Sequence, residues 1–356
     1  MRRHWPYAFL IGFVAILTFH ADRPILLPKH PQVLPVREGD PSPESTVRAE
    51  PLNPVPKVEA GQEEAKPAAR SVVLSGLLWA LRHQNDDGSW GDVSATVGDR
   101  AIGKTGVTSL VMLSLFGAGY SHLSRDEYDE IAVGPQVRKG LAWLLAQQRE
   151  DGTFRSGHDD SFEHALAALA LSDAFGMTVS PFLQEPAARS LDALVRLQGA
   201  DGSWGGSTAT PWAIEALVSG EQSEMPYPAE TRERALAYLR THPHTAQLEA
   251  RLLLKDRSDP DAMESLAQSI ASTPPRAGGT DFESLCHQTS GLYLYDGDGV
   301  LWKKWSPAAR DALTVLQNPD GSWNGGSLSH RLALCSLAER SLQIYYRYSG
   351  NVTFGR

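Results

Sequence analysis

The segment Gln84-Asn85-Asp86-Asp87-Gly88-Ser89-Trp90 is the most informative part of the sequence, because the chain repeats it in modified form. Further copies are QREDGTF at 148–154, QGADGSW at 198–204 and QNPDGSW at 317–323. Successive Gln residues lie 64, 50 and 119 positions apart, and the last gap is close to two repeats. A period of about 50 residues predicts a stacked or closed array whose units bury their apolar faces on one another.

Helical patterns flank every copy of this repeat phrase. The stretches before each Gln are amphipathic, and those after each Asp-Gly turn are richer in Ala, Leu and Ser, which is typical of helices buried on most sides. Two more pairs of helical stretches, at 231–254 and 261–295, lack the phrase. Six pairs of outer and inner helices predict an all-α fold, an α6/α6 toroid that closes on itself.

The composition of the phrase predicts a structural role for it. Gly permits the tight turn, Gln can bond free groups at helix ends, and the aromatic ring can seal the seam between repeats. The residues assigned this role are Gln84, Gly88, Trp90, Gln148, Gly152, Phe154, Gln198, Gly202, Trp204, Gln317, Gly321 and Trp323.

The N-terminal part of the chain has a different character. A basic start, Met1-Arg2-Arg3-His4, precedes an apolar run at 7–19, so we interpret 1–22 as a signal anchor or a cleaved signal peptide. The high proline content of residues 23–69 predicts a disordered linker. The toroid is expected to comprise residues 70–356. We therefore expect one N-terminal membrane anchor with the toroid outside the cytoplasm, in the periplasm, or a secreted protein if the segment is cleaved.

Charge and cysteine content limit the partners. The net charge is -9 and no Lys/Arg-rich run occurs, which argues against nucleic acid. Cys286 and Cys335 are the only cysteines. They could be buried thiols, one disulfide, or part of a metal or catalytic site.

The four phrases resemble the QW motif of the prenyltransferase and squalene-oxidase repeat, in which a helix ending in Gln is followed by Gly-x-Trp. The fullest copy runs from Arg138 through Gln148 to Phe154, and the resemblance covers about 71–348. It implies the terpenoid cyclase-like toroid of squalene cyclases and protein prenyltransferases. The C-terminal part is most similar to uncharacterised exported proteins of planctomycete-like bacteria.

Both catalytic sets of that family are incomplete here. The Asp-x-Asp-Asp acid motif of the cyclases does not occur. The segment from Asp281 to Cys286 resembles the zinc segment of the prenyltransferases, but Ser284 stands where the resemblance implies His. We therefore expect no cofactor and no metal, with Asp281, Cys286, His330 and Cys335 as weak candidate ligands.

Candidate functional residues lie where inner helices begin, because helix N-termini surround the mouth of such a toroid and favour anions. The segment 158–164 gathers ionisable side chains, although Asp160 and Glu163 also fit a capping box. The candidate catalytic residues are Asp159, Asp160 and His164. The candidates for the cavity rim are His158, Glu163, Trp212, Asp281, His287 and His330.

The sequence leaves three functions open. The first is a membrane-tethered toroid that binds an apolar ligand, isoprenoids included, or an extended peptide, without the family's usual catalysis. The second is a terpenoid cyclase or prenyltransferase-like enzyme. A purely structural envelope protein is a third possibility.

Overall fold

The computed structural model describes residues 60–154, 160–242, 244–278, 281–297 and 299–347. The described part contains twelve helices, and they confirm the all-α prediction. The six outer helices are α1 (Ala60–Arg82), α3 (Val133–Gln147), α5 (Pro181–Leu197), α7 (Ala229–Thr241), α9 (Pro260–Ser272) and α11 (Val300–Leu316). The six inner helices are α2 (Lys104–Gly117), α4 (Asp160–Thr178), α6 (Ala209–Gln222), α8 (Gln247–Leu253), α10 (Phe282–Asp296) and α12 (Leu328–Arg347).

The inner helices form a closed ring. Each packs against the next in the order α2, α4, α6, α8, α10 and α12, and α12 packs back against α2. Outer helix α1 also packs against α12, so the first and last repeats meet. The inner helices are buried nearly all round, and in α2 every residue from Thr105 to Gly117 is buried. This all-round burial explains the uniformly apolar pattern of their sequences.

The repeat glutamines join successive outer helices. The side-chain amide of Gln84 donates to the carbonyl of Gln136 in α3, and that of Gln148 donates to Pro186 in α5. Gln198 repeats this bond to α7, and Gln317 donates to Val72 of α1 at 2.8 Å. Each Gln also donates to the Gly carbonyl of its own phrase. The last of these glutamines therefore closes the outer layer of the ring.

Gly and the aromatic residue complete the seam, as the composition predicts. Gly202 has φ +91, and a Cβ there would lie 2.2 Å from the carbonyl oxygen of Arg234 in the next outer helix. Only glycine allows this combination of positive φ and close backbone approach. The Trp204 ring is fully buried, and its Nε1 donates to the Leu194 carbonyl at 2.7 Å. The equivalent Trp90 and Trp323 bond their own preceding helices in the same way.

Two short antiparallel hairpins interrupt the helices. The first pairs β1 (Ala95–Val97) with β2 (Arg100–Ile102), and the second pairs β3 (Glu127–Tyr128) with β4 (Ile131–Ala132). The first hairpin is largely buried on one face, through Ala95, Val97 and Ile102. The sequence analysis did not predict either hairpin.

The N-terminal expectations are mostly outside the described residues. Residues 1–59, which include the predicted anchor at 1–22, are not described, and α1 begins at Ala60, within the segment 23–69 that the sequence assigns to the linker. Among the described helices, none combines the length and hydrophobicity needed to cross a bilayer. Cys286 and Cys335 are both free and buried, so the disulfide alternative is wrong.

Candidate functional site

An ion pair crosses the centre of the ring. Helices α6 and α12 are three positions apart in the ring of six and therefore face each other across its axis. Arg340 of α12 donates through Nη2 to Oε2 of Glu215 in α6 at 2.8 Å, and both side chains are only 2–3% exposed. At this level side chains, rather than an open cavity, fill the middle of the ring.

His287 of α10 lies beside this ion pair, between two glutamates. Its Nδ1 lies 2.7 Å from Oε2 of Glu249 in α8 and 3.4 Å from Oε1 of Glu215. Burial by itself would lower the pKa of His287, but the two carboxylates hold it well above its usual range. Burial, reinforced by the charge of Glu215, raises the pKa of Glu249 to about 7. Glu249 and His287 thus form a buried hydrogen-bonded pair, with Glu215 beside them.

Trp212 and Glu283 lie beside these charges. Trp212 of α6 donates through Nε1 to Oε1 of Glu283 at 3.0 Å, and its ring lies 5.2 Å from the guanidinium carbon of Arg340 and 4.7 Å from the His287 ring. The second carboxylate oxygen of Glu283 is buried and accepts no hydrogen bond from the described residues. Burial raises the pKa of this carboxyl.

These side chains form what we call the ring-centre cluster. Its six members come from four of the inner helices. They are Trp212, Glu215, Glu249, Glu283, His287 and Arg340.

The β1–β2 hairpin covers one side of the cluster, where inner helices begin. A Cβ at Gly98, in the turn of the hairpin, would lie 2.4 Å from the free oxygen of Glu283. Arg100 donates through Nε to Oγ1 of Thr208 at 2.7 Å and also to the carbonyl of Gly205, both just before α6. Its guanidinium lies over the ring of Phe162 in α4. The hairpin therefore bridges the starts of α4, α6 and α10.

The acidic segment before α4 does not contribute to the cluster through its described residues. His158 and Asp159 lie outside the described residues, and Asp160 begins α4 with a side chain that is not described. His164 points outward, because its Nε2 donates to the carbonyl of Ser190 in outer helix α5 at 2.9 Å. Its ring also lies against Phe154 of the second repeat phrase.

Glu163 has a structural contact that the sequence did not predict. Its carboxylate accepts the backbone N–H groups of Gly103 and Gly106, both at 2.9 Å, at the start of α2. It therefore satisfies free donors of the neighbouring inner helix. The capping box predicted from the sequence would instead have placed the Glu163 carboxylate against the backbone N–H of Asp160, in its own helix.

The remaining candidates are distributed over several places. Asp281 is exposed and caps α10, accepting from the backbone of Glu283 at 3.1 Å. His330 is half-buried at the start of α12, where its Nδ1 accepts from the N–H of Gly326. Cys335 accepts from the backbone N–H of Trp323. Within the described residues, these groups form no metal-binding cluster with Cys286.

Trp212 and His287 are the two predicted residues that belong to the cluster, and the other four members were missed: Glu215, Glu249, Glu283 and Arg340. A signal for two of them exists in the sequence. Glu215 interrupts the apolar run Trp-Ala-Ile-Glu-Ala-Leu-Val, and Arg340 follows Leu-Ala-Leu-Cys-Ser-Leu-Ala-Glu. A charge within a helix that is otherwise apolar on every side points to the interior of the ring rather than to solvent.

The fold has clear relatives among solved structures. A variant of the type II terpene cyclase MstE from Scytonema is 14% identical, covers 80% of this chain and 99% of its own, and has a TM-score of 0.59. An α-1,6-mannanase of Salegentibacter is 12% identical, with coverages of 78% and 99% and a TM-score of 0.55. An unsaturated glucuronyl hydrolase specific for heparin is 14% identical, with coverages of 80% and 97% and a TM-score of 0.55.

These similarities define the class of the fold. The chain is an α/α toroid of the kind found in type II terpene cyclases and toroid glycosidases. No protein-family model matches the sequence, and no curated protein matches it. Membership of the QW repeat family therefore stays a prediction, based on the four phrases.

Proposed function

We propose that this protein is a toroidal binding domain, tethered outside the cytoplasm by its N-terminal segment, and that it binds an extended peptide at the mouth of the ring. The ligand contacts Glu283 beneath the β1–β2 hairpin. The observation that carries the proposal is the buried second oxygen of Glu283, which receives no hydrogen bond from the described residues.

The chemistry of this oxygen favours a peptide over a purely apolar ligand. A buried carboxyl oxygen without a donor costs about 1–3 kcal/mol, and more if it is charged. A backbone N–H or a lysine ammonium would satisfy Glu283, whereas an isoprenoid chain would leave it without a partner. Trp212, bonded to the other oxygen, holds the carboxyl in place.

Access to Glu283 requires movement of the hairpin. The turn at Gly98 lies against the carboxyl, and the bonds of Arg100 to Thr208 and Gly205 hold the hairpin to α6. The hairpin also buries Ala95, Val97 and Ile102 on its inner face, so moving it as a whole would expose apolar side chains as well as break these polar contacts. A movement confined to the turn at Gly98 leaves those side chains buried. Ligand binding would therefore displace the turn of the hairpin without opening the helical ring.

The test uses the full chain in detergent and two probes, an Ala/Gly decapeptide that carries one lysine and the isoprenoid alcohol farnesol. We expect calorimetry to show binding of the peptide and none of farnesol. Glu283→Gln should weaken peptide binding about tenfold or more, because the charged acceptor is lost. Glu264→Gln, on an exposed position of α9, is the matched control. Absence of peptide binding, or equal binding by both variants, would refute the proposal.

The tether is tested separately. Cells that express the full chain are fractionated into membranes and soluble material. In a second experiment the outer membrane is permeabilised, the inner membrane is left intact, and protease is added. We expect the toroid to sediment with membranes and to be digested without lysis of the inner membrane. Protection of the toroid until the inner membrane is broken would place it in the cytoplasm and contradict the tether.

A second candidate function is a cyclase-like enzyme with Glu283 as the acid. A buried carboxylic acid with a free oxygen on an inner helix is the group that protonation of an alkene requires. Incubation with squalene and with geranylgeranyl diphosphate would then give a cyclised product that Glu283→Gln no longer forms. Lack of product from both substrates, in a preparation that binds the lysine peptide, would leave binding as the function.

A further inference from the structure

Three side chains on the ring axis converge as metal ligands do. Glu215 of α6, Glu249 of α8 and His287 of α10 each present one ligand atom, and these atoms lie within 4.8 Å of one another. All three side chains are buried. They come from three consecutive helices of the inner ring, so the backbone holds their spacing rigidly.

One oxygen in this group is unsatisfied. Oε1 of Glu215 is buried and accepts no hydrogen bond from the described residues. It faces Nδ1 of His287 at 3.4 Å, while that nitrogen lies closer, at 2.7 Å, to Glu249. Although it approaches the imidazole, this oxygen accepts no hydrogen bond, and a cation between the three side chains would supply the partner that it lacks.

We propose that Glu215, Glu249 and His287 bind one divalent transition-metal ion, with Zn²⁺ as the best match. One imidazole nitrogen and two carboxylates suit zinc, whereas calcium and magnesium prefer oxygen ligands throughout. These residues differ from the Asp, Cys and His set that the family resemblance implies. The site is also separate from the free oxygen of Glu283, so it does not depend on the proposed peptide binding.

The surroundings fix the orientation of these ligands. Arg340 bonds the other oxygen of Glu215 at 2.8 Å, which turns Oε1 toward His287. Trp212 packs edge-on against the imidazole at 4.7 Å. Such outer contacts orient metal ligands, and their loss typically weakens metal binding about 10–100-fold.

The experiment uses the full chain, stripped with a chelator and then dialysed against ZnCl₂, with the bound metal measured by mass spectrometry. We expect about one zinc ion per chain. Glu249→Gln and His287→Gln should each lower the affinity about tenfold or more, as loss of a direct ligand must weaken binding at least as much as loss of an outer contact. Glu339→Gln, a buried glutamate of α12 outside the group, should bind zinc like the parent.

Substitution with Co²⁺ gives a readout that does not depend on the variants. The parent protein should show the visible bands of cobalt with nitrogen and oxygen ligands and no thiolate charge-transfer band. A thiolate band would assign the metal to Cys286, which is adjacent to His287 in α10, and would overturn the proposal. Failure of the stripped protein to take up any metal, or unchanged affinity in folded Glu249→Gln and His287→Gln, would overturn it as well. Circular dichroism establishes that each variant is folded.

Discussion

Substitution of Arg340 tests the contribution of the buried Arg340–Glu215 ion pair, which crosses the ring, to stability. In Arg340→Met the carboxylate of Glu215 stays in an interior where it is about 3% exposed, without its 2.8 Å partner. Breaking a buried pair from one side destabilises a protein by about 3–5 kcal/mol, because an uncompensated charge remains. Loss of the cation–π contact with Trp212 adds about 1 kcal/mol. We therefore expect a loss of about 4–6 kcal/mol of unfolding free energy.

A double-mutant cycle separates the interaction energy of Arg340 with Glu215 from the other effects of each substitution. Urea unfolding of the full chain in the presence of a chelator is followed by circular dichroism for Arg340→Met, for Glu215→Gln and for both together. The double variant should be more stable than the sum of the single losses predicts, by about 2–3 kcal/mol, since neither buried charge then lacks a partner. Additive losses would refute the reasoning. Arg82→Met is the control, because its ion pair with Asp129 is exposed and should contribute less than about 1 kcal/mol.

Three further predictions concern the ring itself. Gly202→Ala should destabilise the protein by about 3 kcal/mol or more in urea unfolding, since it combines positive φ with overlap on a backbone carbonyl. Gln317→Leu should cost about 1–3 kcal/mol and speed amide hydrogen exchange in α1, because the carbonyl of Val72 loses its donor. Burial raises the pKa of Glu339 to about 8, so Glu339→Gln should stabilise the protein at pH 8 but not at pH 4.

The sign of the pH effect follows from the direction of the shift. Between about pH 4.5 and pH 8 the folded protein keeps a proton on Glu339 that the unfolded chain has lost, so stability falls by about 1.4 kcal/mol per pH unit. Glu339→Gln should remove this slope. An unchanged slope would show that Glu339 ionises in the folded state as it does in the unfolded chain.

The glycine and glutamine predictions have their own controls. Gly326→Ala adds a Cβ with no atom within 4 Å and should change stability little. Gln222→Leu replaces a glutamine at the end of inner helix α6 that is not part of a repeat phrase. If Gly202→Ala were as mild as Gly326→Ala, or if Gln317→Leu left exchange in α1 unchanged, the seam would not hold the ring as described.

Much of the fold could be predicted from the sequence because its signals are local and repeated. The Gln and Gly positions carry the same contacts in all four phrases, and the three Trp residues each bond the preceding outer helix, whereas Phe154 is buried without such a bond. The hairpins could not be predicted in this way. The strands of β1–β2 are three residues long, too short for an alternating pattern, and they are held by contacts of Gly98 and Arg100 with distant helices.

The candidate site was predicted only in part, for a physical reason. Trp212 and His287 were predicted because an aromatic ring and an imidazole near the start of an inner helix are unusual side chains there. Glu249 and Glu283 lie still nearer to the starts of α8 and α10 and were missed, because acidic residues are common in the first turn of any helix. Glu215 and Arg340 lie further along their helices, and only the closure of the ring brings them together across its axis. A separation of 125 residues leaves no spacing rule by which the sequence could pair them.

The buried carboxylates of this protein fall into two groups, and the difference argues for function at the ring centre. Asp256 receives bonds from Arg240, Arg251 and Ser258, and these hold its pKa well below the usual range despite its burial. Glu163 likewise has a donor on each oxygen, both from the backbone at the start of α2.

Glu215 and Glu283 are different, because each has one buried oxygen that accepts nothing from the described residues. A carboxylate whose role is structural gains stability from filling both oxygens, and an apolar side chain of similar size would serve better than one left half-satisfied. Glu339 of α12 also has two buried oxygens without a donor among the described residues, so an unfilled oxygen alone does not mark a functional site. The deficit of Glu215 and Glu283 differs because it lies within the ring-centre cluster, beside His287 and Trp212. Its location matches the place where a ligand or a metal ion would supply the missing partners, and the structural role of the repeat phrases gives no reason for it.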